Sequence, residues 1–445
     1  MRLLAIACVL FLQSIVWAQK SNTFETNQPV VMLGYVDFRE ATVWVMSSSA
    51  QTSIWYWDSK TPNLKLAVKP VSNQLLNQYY VSHFKLGVLN PGISYEYSVS
   101  LNAAKPNSKT STYSFKTPEL WRWRNSPPDF KLALGSCNYI NQPEHDRPGK
   151  PYGDTATGIF DQIASQNPDL MLWMGDNIYL REPDWGSQTG INERYIHNRL
   201  QNSTRKLFTT CPNLAIWDDH DFGPNDANSS FYNKGFSLQA FKDFWPNPGC
   251  GINGIGGTTF AFDYQDAHFL MLDNRYHRTP DFCDSCREES ILGGPQLEWL
   301  KTSLLTLPGS EFKIICLGGQ FLNSFKEFEI YSRYEWERHQ IIDFIYKNNI
   351  KNVVFLTGDR HFSELSMLKE DGKPTIYDFT VSPLTSGVFK NVKEVNTNRV
   401  AGSFYNANRS FGMLEFSGKD KNRTISFVLY DKEGLEVYRL SYLRE

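Results

Sequence analysis

The stretch Leu170-Met171-Leu172-Trp173-Met174-Gly175-Asp176-Asn177-Ile178-Tyr179 sets the fold class. Its first half is an unbroken apolar run of strand length, and at Gly175 it turns abruptly into polar, chemistry-bearing side chains. The same design recurs on both sides. Phe130 to Leu134 leads into Gly135-Ser136-Cys137-Asn138-Tyr139, and Leu214 to Trp217 into Asp218-Asp219-His220-Asp221. Lys313 to Leu317 leads into Gly318-Gly319-Gln320, and Val353 to Thr357 into Gly358-Asp359-Arg360-His361. A further strand is expected over His268 to Leu272. Helical stretches fall between, at Ala156 to Gln166, Gly235 to Trp245, Pro295 to Leu305 and Glu335 to Lys347, with Pro295 suited to a first turn. Strands alternating with helices make an α/β fold, and five polar loops at the carboxyl ends of its strands can converge on one site.

Those loops carry metal-ligand types. A carboxylate shared by two ions, here Asp176, would hold them about 3.5 to 4 Å apart, where both can grip a phosphoryl group and acidify a water. Asp, His, Tyr and a thiolate supply the remaining ligands. Glycines 135, 175, 318 and 358 are expected to form tight turns that aim these side chains inward.

Upstream, from about residue 28 to 117, the texture is different. Short alternating strands are expected at Val31 to Asp37, Ala41 to Met46, Ser53 to Trp57, Tyr79 to Val88, Ile93 to Leu101 and Ser111 to Lys116, with no helical period between them. The run from Leu86 through Asn90-Pro91-Gly92 to Tyr95 and Tyr97 resembles the fibronectin type III pattern, in which a tyrosine locks one corner of a β-sandwich. Residues 119–128, including Trp121-Arg122-Trp123-Arg124, read as a linker. The tail from Thr375 to Tyr442 reads as another set of strands.

Bulk properties narrow the function. A net charge of −2 over 445 residues argues against nucleic acid as the main partner, since phosphate-backbone binding needs clustered Lys and Arg. Arg2, the apolar Leu3 to Trp17 and Val16-Trp17-Ala18 read as a secretory signal over residues 1–18, with an uncleaved anchor as the alternative. The protein is therefore expected to be exported to a periplasm, a cell surface or the medium, with no transmembrane segment after cleavage. Cys283 and Cys286 are expected to pair in a small loop disulfide. Cys211 with Cys250 is a second candidate bridge whose connectivity the sequence leaves open. Cys316, in an apolar strand, reads as a core thiol, and Cys137 needs another explanation.

The loop residues together resemble the calcineurin-like metallophosphoesterase superfamily and, within it, the alkaline phosphatase D (PhoD-like) family, over roughly residues 130 to 415. The resemblance implies an N-terminal fibronectin III/Ig-like β-sandwich (19–118) followed by a metallophosphoesterase αββα sandwich (129–445). Gly175, Asp176 and Tyr179 are similar to the purple acid phosphatase motif, in which the aspartate bridges two metals and the tyrosine binds ferric iron. Carried across, Cys137, Asp176, Tyr179, Asp219, Asp359 and His361 are implied metal ligands and His220 the catalytic histidine. Gln320, Asn225, Arg275 and Arg360 are further candidates for metal or substrate contact. Asp218 and Asp221 either orient His220 or cap helices.

This sequence departs from the superfamily in placing Cys137 where Asp-x-His is usual, and Asp219 and Asp359 where nitrogen or amide ligands are usual. Hard oxygen donors favour calcium, and a thiolate with a phenolate suits ferric iron, so Fe3+ and Ca2+ are expected ahead of Zn2+ or Mn2+. The implied activity is hydrolysis of a small phosphate ester or phospholipid by metal-bound hydroxide. A phospholipase D-like phosphodiesterase is the alternative enzyme, and a non-catalytic surface binding protein the alternative of another class.

Overall fold

The computed structural model describes residues 28–102, 105–106, 110–252, 254–281, 289–306, 311–419 and 422–445. The expected signal over 1–18 and the Cys283–Cys286 pair lie outside the described residues. Among those residues no helix is long and apolar enough to cross a membrane.

The chain begins with β1 (Val30–Val36), β2 (Ala41–Ser47), β3 (Thr52–Asp58), β4 (Leu66–Val68), β5 (Ser72–Leu76), β6 (Tyr79–Leu86), β7 (Ser94–Leu101) and β8 (Thr112–Lys116). They form two four-stranded sheets, ordered β1-β2-β6-β5 and β4-β3-β7-β8. Period-2 alternation puts Val31, Leu33, Val43, Val45 and Phe84 into a common core with Ile54 and Tyr97. The corner tyrosine is Tyr95, whose hydroxyl accepts the Asn90 N–H at 2.9 Å. β1 and β2 are buried on their other face as well, because Val30, Met32, Trp44 and Met46 pack against the layer that follows. Trp44 Nε1 donates to the carbonyl of Asp243 there at 2.8 Å.

Two six-stranded sheets follow, stacked face to face. The first, built from β9 (Phe130–Gly135), β10 (Leu170–Met174), β11 (Asn213–Ile216), β18 (Ser410–Ser417), β19 (Thr424–Asp431) and β20 (Glu436–Leu443), has the order β11-β10-β9-β18-β19-β20. The second, built from β12 (Phe260–Tyr264), β13 (Ala267–Met271), β14 (Phe312–Cys316), β15 (Val353–Thr357), β16 (Glu364–Leu368) and β17 (Ile376–Thr380), has the order β12-β13-β14-β15-β17-β16. β9, β10 and β11 run parallel in one sheet, and β13, β14, β15 and β17 in the other. Leu132, Leu172, Ile216, Phe269, Ile314 and Leu356 meet between the sheets. Parallel neighbours require crossovers, and helices supply them on the two outer faces. α1 (Ile159–Ser165), α2 (Gln188–Arg199), α3 (Arg205–Thr210), α4 (Asp219–Phe222) and α5 (Lys234–Phe244) lie on the first side, and α6 (Gly294–Thr306) and α7 (Glu335–Lys347) on the second. The layers are thus helix, sheet, sheet, helix.

Cys316 is a buried core thiol between the sheets, as read from its strand. Cys211 and Cys250 are not bridged: both are free, Cys211 buried in the helix-on-sheet core and Cys250 donating to the Gly257 carbonyl at 3.4 Å.

Candidate metal centre

The carboxyl ends of β9, β10 and β11 in one sheet face those of β14 and β15 in the other. Two glycines let the loops close together. A Cβ at Gly358 would stand 2.5 Å from Ser136 Oγ, and one at Gly318 would stand 2.6 Å from the Asp218 carboxylate. These positions serve close approach as well as turning, the Gly358 carbonyl accepting the Arg360 N–H at 2.9 Å; Gly175, with φ +93°, is the one of the four in the left-handed region. The left-handed conformations fall instead on Cys137, Asp176, Asp359 and His361, at φ between +51° and +71°. Such backbone is costly for these residues and clusters at functional sites.

Cys137 leaves β9 with its N–H on the Gly175 carbonyl, while Asn138 N–H bonds the Asp176 carbonyl at 2.7 Å. The two loops therefore hold each other. Cys137 Sγ lies 3.1 Å from Ser382 Oγ, 3.6 Å from Asp176 Oδ2 and 3.6 Å from the Asp359 carbonyl. His361 presents Nε2 to the Tyr179 hydroxyl at 3.1 Å and Nδ1 to the Tyr152 hydroxyl at 2.9 Å. The Tyr179 ring also lies against His220, with centroids 4.1 Å apart.

Three groups of ligand atoms, each within 4.8 Å of one another, follow: Cys137, Asp176 and His361; Asp176, Asp219 and His220; Asp219, Asp226 and Glu329. Asp176 belongs to the first two and Asp219 to the last two. The electrostatics of this arrangement call for a cation. Burial, then the neighbouring carboxylates, push Asp176 and Asp359 well above the usual carboxylate range. Burial and the same carboxylates raise the Cys137 thiol well above its ordinary value, so it becomes a thiolate only when a cation replaces its proton. Burial alone would raise Asp219 too, but His220, Arg275 and the Asp226 N–H hold it below the usual range. His220 Nδ1 and Asp218 Oδ2 are buried with no hydrogen-bond partner among the described residues. Crowded buried carboxylates, a thiol, a phenol and the His361 imidazole fit multivalent metal ions.

The other expected residues are placed as follows. Asp221 accepts the Asn177 and Asp218 N–H groups and completes the capping box of α4. Asp218 is held by Asn274 Nδ2 and Arg275 Nε. Arg275 is buried and forks onto Glu329 at 2.6 and 2.8 Å. The Gln320 amide is committed to Glu364, Thr380 and Asn323. Arg360 pairs with Glu394 at 2.6 Å and lies over the Phe328 ring. Asn225 is exposed, and its neighbour Asp226 touches the site, its N–H on Asp219 Oδ2 at 2.8 Å. Asp226, Glu329 and Tyr152 escaped the sequence reading. Only Asp226, in the connection just after α4 and His220, carried a usable signal.

The structure of PhoD superimposes on 93% of this chain and 90% of its own, with a TM-score of 0.69 at 18% identity. A purple acid phosphatase from yellow lupin (Lupinus luteus) seeds does so over 94% and 75%, with a TM-score of 0.68 at 12% identity. Both share the fold. Alkaline phosphatase D of Bacillus subtilis (strain 168) is 26% identical over 375 residues, 70% of this chain and 61% of the relative. The chain thus spans less than two thirds of that relative's length. The family model described as PhoD-like phosphatase matches residues 136–424, a span that includes Cys137 and His361 at either end of the site, and the chain belongs to that family.

Proposed function

We propose that the chain is a metal-dependent phosphoesterase whose reaction centre is the pair of ligand groups joined by Asp176. That sharing carries the reading: one buried carboxylate within 4.8 Å of ligand atoms on both sides is what a two-ion phosphoryl clamp needs. Cys137, Tyr179, His361 and Asp176 would hold ferric iron, and Asp176 and Asp219, with Asp359 beside them, the harder calcium ion. Bound there, the ions would neutralise charge on the phosphoryl group and acidify a water.

The chain's own part in the chemistry falls to His220. Its Nδ1 is buried, so Nε2, 3.9 Å from Asp219 Oδ2, is the nitrogen that carries a proton toward the leaving oxygen. The Asp219 carboxylate stabilises the imidazolium. Tyr179, its ring tilted 32° against the imidazole with centroids 4.1 Å apart, restricts its orientation. No side-chain nucleophile is required, and Ser136 Oγ is already committed to the Val381 carbonyl at 2.9 Å.

The leader-like residues 1–18 support an exported enzyme, and the ester is a small phosphate ester or a phospholipid. The deciding experiment combines metal analysis with a panel of phosphate monoesters, diesters and phospholipids. Turnover of mono- and diesters with iron and calcium bound is the expected result. Inactivity on every ester with the metals fully loaded would leave a binding protein; turnover confined to phospholipid diesters would select the phospholipase reading.

A further inference from the structure

We propose that the turn at Trp121-Arg122-Trp123-Arg124 docks this protein on an anionic lipid surface, with the metal centre turned away from that surface. The turn stands at the opposite edge of the sheets from the metal centre. It is closed by the Trp121 carbonyl, which accepts the N–H groups of both Arg124 and Asn125 at 2.9 Å. At its apex Trp123 is 97% exposed, the most exposed large apolar side chain of the described residues, and its φ is +62°. A bulky aromatic seldom accepts that conformation, so the turn holds an indole out in water at a backbone cost that folding does not repay. Leu120, half exposed, stands beside it.

The charges around the indole are mostly positive. Arg122 lies 5.7 Å over the Trp121 ring, Arg124 is exposed with Nη1 on the Arg122 carbonyl, and among the described residues neither forms an ion pair. Lys419 lines the same open cleft of about 930 Å³. Of the nearby acids, Glu119 is paired with Lys116 at 2.5 Å, and Asp129, in the same cleft, shares the buried Arg423, 3.0 Å away, with Asp266. An amphipathic indole at the tip with unpaired arginines behind it matches an interface where a ring sits at headgroup level and guanidinium groups meet phosphates.

Orientation follows from the strand that the turn feeds. β9 runs from Phe130, at the turn, to Gly135, next to Cys137, roughly 20 Å at about 3.3 Å per residue. Arg423 ties the same edge together by pairing with Asp266, the residue before β13. A molecule seated on Trp123 therefore opens its metal centre toward water. Resting on the phosphoesterase reading, this assigns it water-borne esters as substrate and spares the phospholipids beneath it.

The test is cosedimentation of the intact exported chain with vesicles of phosphatidylcholine alone or mixed with phosphatidylglycerol, at low and high salt. Binding should require phosphatidylglycerol and fall with salt. Trp123→Ala should weaken it about tenfold or more, and Arg122→Gln with Arg124→Gln roughly 30-fold, from about fivefold per charge. Unchanged thermal melting of these variants would show that the fold is intact. Equal binding to phosphatidylcholine, no loss in Trp123→Ala, or binding to soluble polyphosphate but not to vesicles would overturn the docking. Hydrolysis of the vesicle phosphatidylglycerol would overturn the orientation alone, whereas absence of turnover on soluble esters would count against the phosphoesterase reading and leave docking standing.

Discussion

Replacing Arg275 by methionine separates two roles for a buried arginine beside the proposed phosphate site. In the structure its guanidinium bonds Asp218 at 2.5 Å and Glu329 at 2.6 and 2.8 Å, with Asp219 at 3.8 Å, and its side chain is 1% exposed. Nothing of the fork is left over for a substrate. The methionine would keep the volume but strand two buried carboxylates, and breaking one side of a buried ion pair costs about 3–5 kcal/mol. Burial already raises Asp218, so that group would take up a proton and keep the loss near the lower figure. With an unfolding entropy of about 2.1 cal/mol/K per residue, a 3 kcal/mol loss over this length lowers Tm by about 3 °C. Thermal melts of the metal-loaded protein measure this, and inhibition by inorganic phosphate reads the substrate site in the same samples. Tm should fall while phosphate inhibition changes by less than about threefold, and Asp218→Asn should recover part of the loss, as coupled neighbours do. An unchanged Tm with inhibition weakened tenfold would refute the structural role and make Arg275 a phosphate ligand.

Four other outcomes are expected. His220→Ala should keep its metals but lose about 10²-fold or more in kcat, as a positioned acid would; loss of metal would make it a ligand instead. Cys137→Ser and Tyr179→Phe should each shift or bleach a visible charge-transfer band, and a colourless zinc-loaded active enzyme would remove iron from the scheme. Burial raises Asp378 to about 6, above its unfolded value, so its contribution to stability is present below about pH 4 and is lost as pH rises through about 6. Asp378→Asn, with the Phe321 and Leu322 N–H groups still bonded, should therefore gain Tm over the native chain as pH goes from 4 to 7, and a pH-independent difference would contradict this. A chain beginning at Trp121 should still bind metal, since no candidate ligand group draws on residues 28–118, but exposing the seat of Trp44 should lower its Tm.

Legibility followed how strongly each feature is written into local sequence. β10 and β15 lie where their apolar runs end in glycine, and α7 where its apolar period begins and stops. α2 was invisible because its buried face carries Asn192, Arg194, Asn198 and Arg199 beside Ile191 and Tyr195. A helix whose inner face is polar has no hydrophobic period to read. β4 was equally silent, three residues long and mostly exposed on an edge.

The site divides along the same line, and the division says what its parts do. Residues that leave a strand end, such as Cys137, Asp176, Asp219 and His361, were legible because the strand fixes their origin and the loop has few places to send them. Asp226, Glu329 and Tyr152 come from longer connections, and only three-dimensional closure puts Glu329 on Arg275 or Tyr152 on His361 Nδ1. Tyr152 leaves Nε2 to face Tyr179, so a loop residue decides which imidazole nitrogen is offered to the centre. In the proposed metal centre the strand ends would thus bring the ligand types, and the loops would choose their atoms. Substitutions in the loop residues should therefore alter how tightly metal is held before they alter which metal is held.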